Sequence, residues 1–140
     1  MSDVALLPYA DFLGIRIEGE RDGAPLLVMP FSEGLLNLQG GIHGGAISGL
    51  LEIAATAAID ATLEEGEDPR SVFKPITVTV DFMRPGLPAN VYACGEVVRV
   101  GGRVANVAVS AWQDDPDRVI AAARMNFAIT PPEPSKGSAT

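Results

Sequence analysis

The sequence predicts an α+β fold in which an antiparallel β-sheet is wrapped around one long central α-helix. Two changes of period carry this reading. From Gly44 to about Leu63 the apolar residues repeat with helical spacing. Beyond Pro69 they alternate with polar ones, in runs broken by turn residues, as far as Ile129. One long helix must bury its apolar face against that sheet, and meander connections after the helix make the sheet antiparallel.

Residues 3–13 are weakly helical, with Pro8 in a first turn and Leu7, Phe12 and Leu13 packing inward. Gly14 to Glu20 sets Ile15 and Ile17 against Arg16 and Glu18, the alternation of a strand. Arg21-Asp22-Gly23-Ala24 is turn chemistry and Leu26 to Phe31 a second short strand, so 14–31 reads as a hairpin. Residues 32–42 form a glycine-punctuated loop. In the long helix, Ile47, Leu50, Leu51, Ala54, Ala58 and Ala61 make an apolar face. Ser48, Glu52, Thr56 and Asp60 recur every four residues as a polar stripe. The alanines keep this helix thin. Glu64 to Pro69 is an acidic stop. Then Ile76, Val78, Val80 and Phe82 alternate with Thr77, Thr79 and Asp81. Arg84-Pro85-Gly86-Leu87-Pro88 is a turn, and three strands follow over 91–100, 104–112 and 119–129, the first two joined at Gly101-Gly102. The chain is read as a single domain, 1–130, with a disordered C-terminal tail, 131–140.

The 140 residues suffice for one core without disulfides or metal. A single cysteine, Cys94, excludes a disulfide framework, and a single histidine argues against a bound transition metal. A reducing, cytoplasmic setting fits best. No metal or redox cofactor is expected. The start lacks the basic and apolar regions of a secretory signal. The segment 46–59, interrupted by Ser48, Glu52 and Thr56, reads as too short and too polar to span a membrane. A net charge of −8 disfavours nucleic-acid partners. The charge is uneven. Residues 71–110 hold Lys74, Arg84, Arg99 and Arg103 against only Asp81 and Glu96, and this basic stretch is either a set of ordinary strand-edge charges or a surface for an anionic ligand.

The stretch from Asn37 to Glu52 carries the chemistry. Glycines at a helix start leave backbone N–H groups bare at the positive end of the helix dipole, where a negative oxygen is stabilised. His43 is either a helix-entry residue serving local backbone or a group beside those donors that meets substrate. Glu52 is a solvent-facing stripe residue, a partner of a buried arginine, or a base in a cleft. Asn37 is a loop turn residue or a neutral donor and acceptor for water or a carbonyl. Gly44 and Glu52 lie eight residues apart on one helix, about 12 Å. They cannot act on one atom within one chain, so cooperation needs a two-fold axis that brings Gly44 of one copy to Glu52 of the other. There is no Gly-x-Ser-x-Gly elbow and no phosphate-loop lysine.

Asn37, then His43-Gly44-Gly45, then an acid nine residues past the histidine, resembles the hotdog-fold acyl-CoA thioesterases of the phenylacetate-degradation (PaaI-type) group. Val80-Asp81-Phe82-Met83-Arg84-Pro85 and Gly101-Gly102-Arg103 are similar to that family's strand and hairpin after the helix. The resemblance implies an acyl-CoA thioesterase acting as a homodimer, assembled as a homotetramer. Gly44 N–H would polarise the thioester carbonyl, and Asn37 and His43 would orient the thioester or the water. Glu52 of the partner subunit would be the base or nucleophile. Gly45, Thr56, Thr77, Arg84 and Arg103 are expected at the substrate. Several relatives carry a serine or threonine where this chain has Pro75, so Thr77 or Thr56 takes that role or another arrangement does. Trp112, Phe73 and Phe82 are candidates for an aromatic pocket. A non-catalytic acyl-CoA binder on the same fold is the rival reading. A dehydratase is a weaker one, because its histidine-centred motif is absent.

Overall fold

The computed structural model describes residues 6–64 and 72–130. The elements run α1 (Pro8–Leu13), β1 (Arg16–Arg21), β2 (Ala24–Met29), a short 3-10 turn (Glu33–Leu35), α2 (Gly44–Glu64), β3 (Val72–Phe82), β4 (Val91–Val100), β5 (Val104–Trp112) and β6 (Ala121–Thr130). All six strands form one antiparallel sheet in the order β1-β2-β4-β5-β6-β3. The chain has the hotdog architecture: a sheet curled round a single long helix. The predicted hairpin over 14–31 is β1–β2, closed by Asp22 and Gly23, both at positive φ. The predicted tail and most of the acidic stop lie outside the described residues.

Burial follows the two periods. Ile47, Leu50, Leu51, Ala54, Ala58 and Ala61 are buried on α2, and Ala105, Val107, Val109 and Ala111 of β5 are buried in the same core cluster. Ser48, Glu52, Thr56 and Asp60 are all half-buried, so the stripe is neither core nor open surface. Loss of hydration raises the Asp60 carboxyl above the ordinary carboxylate range, and Glu64 one turn on adds repulsion.

By length and composition alone α2, with 21 residues, meets the requirement for a membrane span. That overturns the expectation drawn from segment 46–59, because the helix continues past both of its ends. Its apolar residues instead face the sheet, and most of the helix is buried inside the molecule.

The thin helix lets the sheet come very close. A Cβ built on Gly95 of β4 would lie 2.8 Å from Cβ of Ala58 and 3.1 Å from the Ala54 carbonyl oxygen. Gly95→Ala is therefore expected to cost about 1–3 kcal/mol, through overpacking rather than lost contacts. The check is a lower denaturation midpoint at unchanged slope. A variant as stable as the parent would show that sheet and helix can separate freely.

One connection departs from a simple meander. β4, β5 and β6 follow one another, but β3 pairs with β6 at the sheet edge and not with β4. The linker 83–90 carries Pro85 and Pro88, which suits a crossing over the sheet end and not a tight hairpin. Its backbone is held by Met83 and Arg84 N–H, which donate to the Ile120 carbonyl at 2.8 and 3.1 Å. Within β3 the register shifts between Pro75 and Thr77, so Ile76 is an extra residue beside a proline on an edge strand.

Candidate active site

The loop before α2 is closed on itself. Leu36 and Ile42 form an isolated antiparallel bridge, and His43 N–H donates to the Leu35 carbonyl at 2.7 Å. Asn37 N–H donates to the Gly41 carbonyl at 2.8 Å. The Asn37 side chain finishes the turn: its Oδ1 accepts from Gln39 N–H at 2.9 Å and Gly41 N–H at 3.0 Å. Asn37 is thus a turn residue, as asparagine commonly is. Its Nδ2 amide keeps no partner among the described residues, so it remains a free donor. Gly40 sits at φ +84°, the left-handed region that favours glycine.

The loop 83–90 locks this turn from outside. Ile42 N–H donates to the Gly86 carbonyl at 2.9 Å, and a Cβ on Gly41 would lie only 2.7 Å from that same oxygen. Arg84 therefore stands two residues from a segment packed directly on the site loop.

The His-Gly-Gly motif now has a physical account. His43 lies just before α2, and its carbonyl accepts from Ala46 N–H at 3.0 Å and Ile47 N–H at 3.2 Å. Its ring folds over the helix start so that Nδ1 accepts from Gly45 N–H at 2.8 Å. A Cβ on Gly45 would meet that ring at 2.9 Å, so the second glycine of the motif makes room for the imidazole. Of the four opening N–H groups of α2, three are spent on His43. Gly44 N–H alone keeps no partner among the described residues. Because Nδ1 is an acceptor, the neutral ring carries its proton on Nε2, which becomes a donor from an exposed side chain. The helix dipole, the Gly44 N–H and His43 Nε2–H make the head of α2 electropositive, and Asn37 Nδ2 adds a donor on the loop that leads into it.

Glu52 is half-buried on the polar stripe of α2, and no side chain holds its carboxylate among the described residues. A buried arginine partner is excluded, since the described residues bury no charged side chain. Thr56 lies one turn further along the same stripe.

A family model for the acyl-CoA thioesterase N-terminal domain matches residues 34–128. The chain belongs to this thioesterase family. A protein of Halobacterium salinarum that carries an esterase name is 31% identical over 105 residues, 71% of this chain; the matched stretch spans 66% of that relative's own length. Among solved structures, S. sahachiroi AziG shares the fold with a TM-score of 0.79 at 22% identity, over 91% of this chain and all of its own. A phenylacetic acid degradation-related thioesterase of Ralstonia eutropha gives 0.74 at 24%, over 89% and 92%. The E. coli PaaI protein gives 0.74 at 21%, over 87% and 83%. At these identities the structures establish the fold.

Within this thioesterase domain the other expected substrate residues are scattered. Gly45 N–H is already engaged by His43. Thr77 pairs across the strands with Asn126, whose Nδ2 donates to Thr77 Oγ1 at 2.9 Å. Met125 and Phe127, either side of Asn126, are buried toward the core, so Thr77 lies on the sheet face turned away from α2. Pro75 pairs with Phe127 two places earlier. Arg84 N–H bonds the Ile120 carbonyl, whereas the Arg103 carbonyl accepts from Ile129 N–H at 2.7 Å. The two arginines bracket β6 and lie about 30 Å apart along the strand direction. Lys74 shares the Arg103 end, through pairing of both Lys74 and Val104 with Ala128. The three aromatic candidates also separate. Phe73 packs edge-on against Phe127, and Trp112 stacks on Tyr92 beneath Arg21. Only Phe82 reaches the site, its ring 3.4 Å from where a Cβ on Gly44 would be. Of the three residues expected to pack inward from the first helix only Leu13 does so, while Leu7 and Phe12 are exposed; Phe12 instead lines a cleft shared with His43, together with Tyr9 and Phe31, which sequence reading passed over. The available signal was the Pro8-to-Leu13 segment, with two aromatics in a weak helix of few inward positions.

Proposed function

We propose that this domain hydrolyses acyl-CoA thioesters to a free acid and CoA. The observation that carries the reading is the Gly44 N–H at the head of α2, which has no partner among the described residues. A thioester carbonyl oxygen gains negative charge as it is attacked, and a fixed N–H at the positive end of a helix stabilises that charge. His43 Nε2–H and Asn37 Nδ2 orient the carbonyl or the attacking water. Glu52 accepts the water proton as hydroxide adds to the carbonyl carbon. Collapse of the tetrahedral oxyanion then expels CoA as a thiolate. In the alternative course the Glu52 carboxylate adds directly, giving an anhydride that water opens. A non-catalytic acyl-CoA binder on this fold would need no carboxylate, and a half-buried Glu52 with no side-chain partner among the described residues favours the enzyme.

Glu52 of this scheme belongs to a second copy, because it lies about 12 Å from Gly44 along α2. The two edges of the sheet differ in a way that supports such a dimer. β1 is an edge strand bearing Arg16, Glu18, Glu20 and Arg21, charges that discourage strand pairing. β3, the other edge, exposes Val72, Ile76, Val78 and Phe82. Pairing β3 with β3 across a two-fold axis covers these residues and sets the two copies antiparallel. It also carries the Lys74 and Arg103 end of one copy toward the Arg84 end of the other, where they serve one CoA. Assembly of two such dimers rests on the resemblance alone. The free thiol of Cys94 suits a reducing, cytoplasmic setting.

Incubating the protein with short-chain, long-chain and aryl acyl-CoAs and following thiol release tests the activity. No release above the spontaneous rate from any of them would sink the reading. Charge reversal tests CoA recognition. Arg84→Glu and Arg103→Glu are each expected to raise KM several-fold with kcat little changed, and to weaken its dependence on salt. Unchanged KM and salt slope in both would remove these arginines from CoA binding.

A further inference from the structure

We propose that Tyr9 and Phe12 of α1 are specificity-determining residues, forming the wall of a cleft that takes a bulky apolar acyl group; this rests on the thioesterase reading above. The cleft, of about 690 Å³, lies between α1 and the head of α2. Leu13, Phe31, Leu35 and Ala46 line it together with the two aromatics. His43 and Gly45, the residues on either side of Gly44, line the same space, so the cleft reaches the head of α2.

The two rings are not core residues. Tyr9 is 50% exposed and Phe12 83% exposed, yet they lie nearly parallel, with centroids 6.1 Å apart and planes inclined by 14°. Phe12 in particular leaves most of its ring open to water, where contact with an apolar ligand is favourable. α1 is set in place by Gly49. A Cβ there would lie 3.0 Å from Leu13 and 3.1 Å from the Tyr9 ring, so the glycine lets α1 rest directly on α2 beside the site. The charge in the cleft decides which end of the substrate enters. Its one acidic side chain is Asp11, whose carboxylate repels the CoA phosphates. The neutral acyl end is accepted, while the nucleotide lies toward the arginines. A cleft of this size also leaves an acetyl group with few contacts and rewards a larger one.

The experiment measures kcat/KM of the full chain for acetyl-, octanoyl- and benzoyl-CoA in wild type, Tyr9→Ala, Phe12→Ala and Phe12→Leu. The alanine variants are expected to lower the ratio of the bulkier substrate to acetyl-CoA about tenfold, mostly through KM. Phe12→Leu keeps apolar bulk without a ring. Restoration of octanoyl but not benzoyl selectivity identifies an aryl group as the occupant, and restoration of both identifies any bulky chain. Ratios unchanged in all variants overturn the inference while leaving the thioesterase reading intact. Failure of wild type to cleave any of the three removes both. Phe12, being largely exposed, gives the answer even if Tyr9→Ala does not fold.

Discussion

Replacing Glu52 by alanine will leave the fold intact and lower kcat by roughly 100- to 10,000-fold, the range for loss of a general base or nucleophile. The effect should fall on turnover and spare substrate binding, since the carboxylate is assigned to the step in which charge moves. Folding is expected to survive because Glu52 is half-buried and engages no side chain among the described residues. No ion pair is broken and no buried polar group is orphaned, the two routes by which such a change usually destabilises a protein. Circular dichroism and the thermal midpoint check the fold, and single-turnover kinetics with the best thioester separates chemistry from binding. A folded Glu52→Ala protein with wild-type kcat would falsify the assignment and leave the donor corner at Gly44 without a base.

The second large effect is recovery of activity. Glu52→Ala and Asn37→Ala proteins, each inactive alone, are unfolded and refolded as an equal mixture. If each site takes Asn37, His43 and Gly44 from one copy and Glu52 from the other, a mixed dimer holds one site with both lesions and one intact site. Random assembly makes half the dimers mixed, so about a quarter of the wild-type activity should return. Asn37→Ala removes two acceptor bonds that shape the turn, so His43→Ala, which leaves that turn alone, is the better second partner if Asn37→Ala folds poorly. The wild-type protein must regain activity through the same procedure. Demonstrated mixed dimers that stay inactive would rule out a shared site and return the search for a base to a single chain.

The fold was legible because it depends on local periods. Helical spacing over Gly44–Glu64 and alternation over the later strands each state which face is apolar, and a lone apolar helix beside a run of strands has few other solutions. Part of the loop geometry was legible for the same reason. Asn37, Gly40, His43 and Gly45 act on backbone groups within a few residues of themselves, and such geometry is written in sequence spacing. The register of Gly44 and Glu52 on one helix already required a second copy for the proposed mechanism.

What the sequence could not give depends on contacts between distant segments. The place of β3 beside β6, and with it a free apolar edge opposite a charged one, follows from how the linker 83–90 crosses the sheet. The separation of Arg84 from Arg103 depends on strand register, which no local pattern encodes across an eight-residue connection. The closeness of Tyr9 and Phe12 to His43 is set by Gly49, a glycine inside a helix whose purpose appears only when another element rests on it. Most sharply, the sequence offered several bare N–H groups at the head of α2, and only the folded ring and carbonyl of His43 decided that, among the described residues, Gly44 alone would keep its donor free. Periodicity records what each residue prefers to face; tertiary packing decides which polar groups are used up and which are left for a ligand.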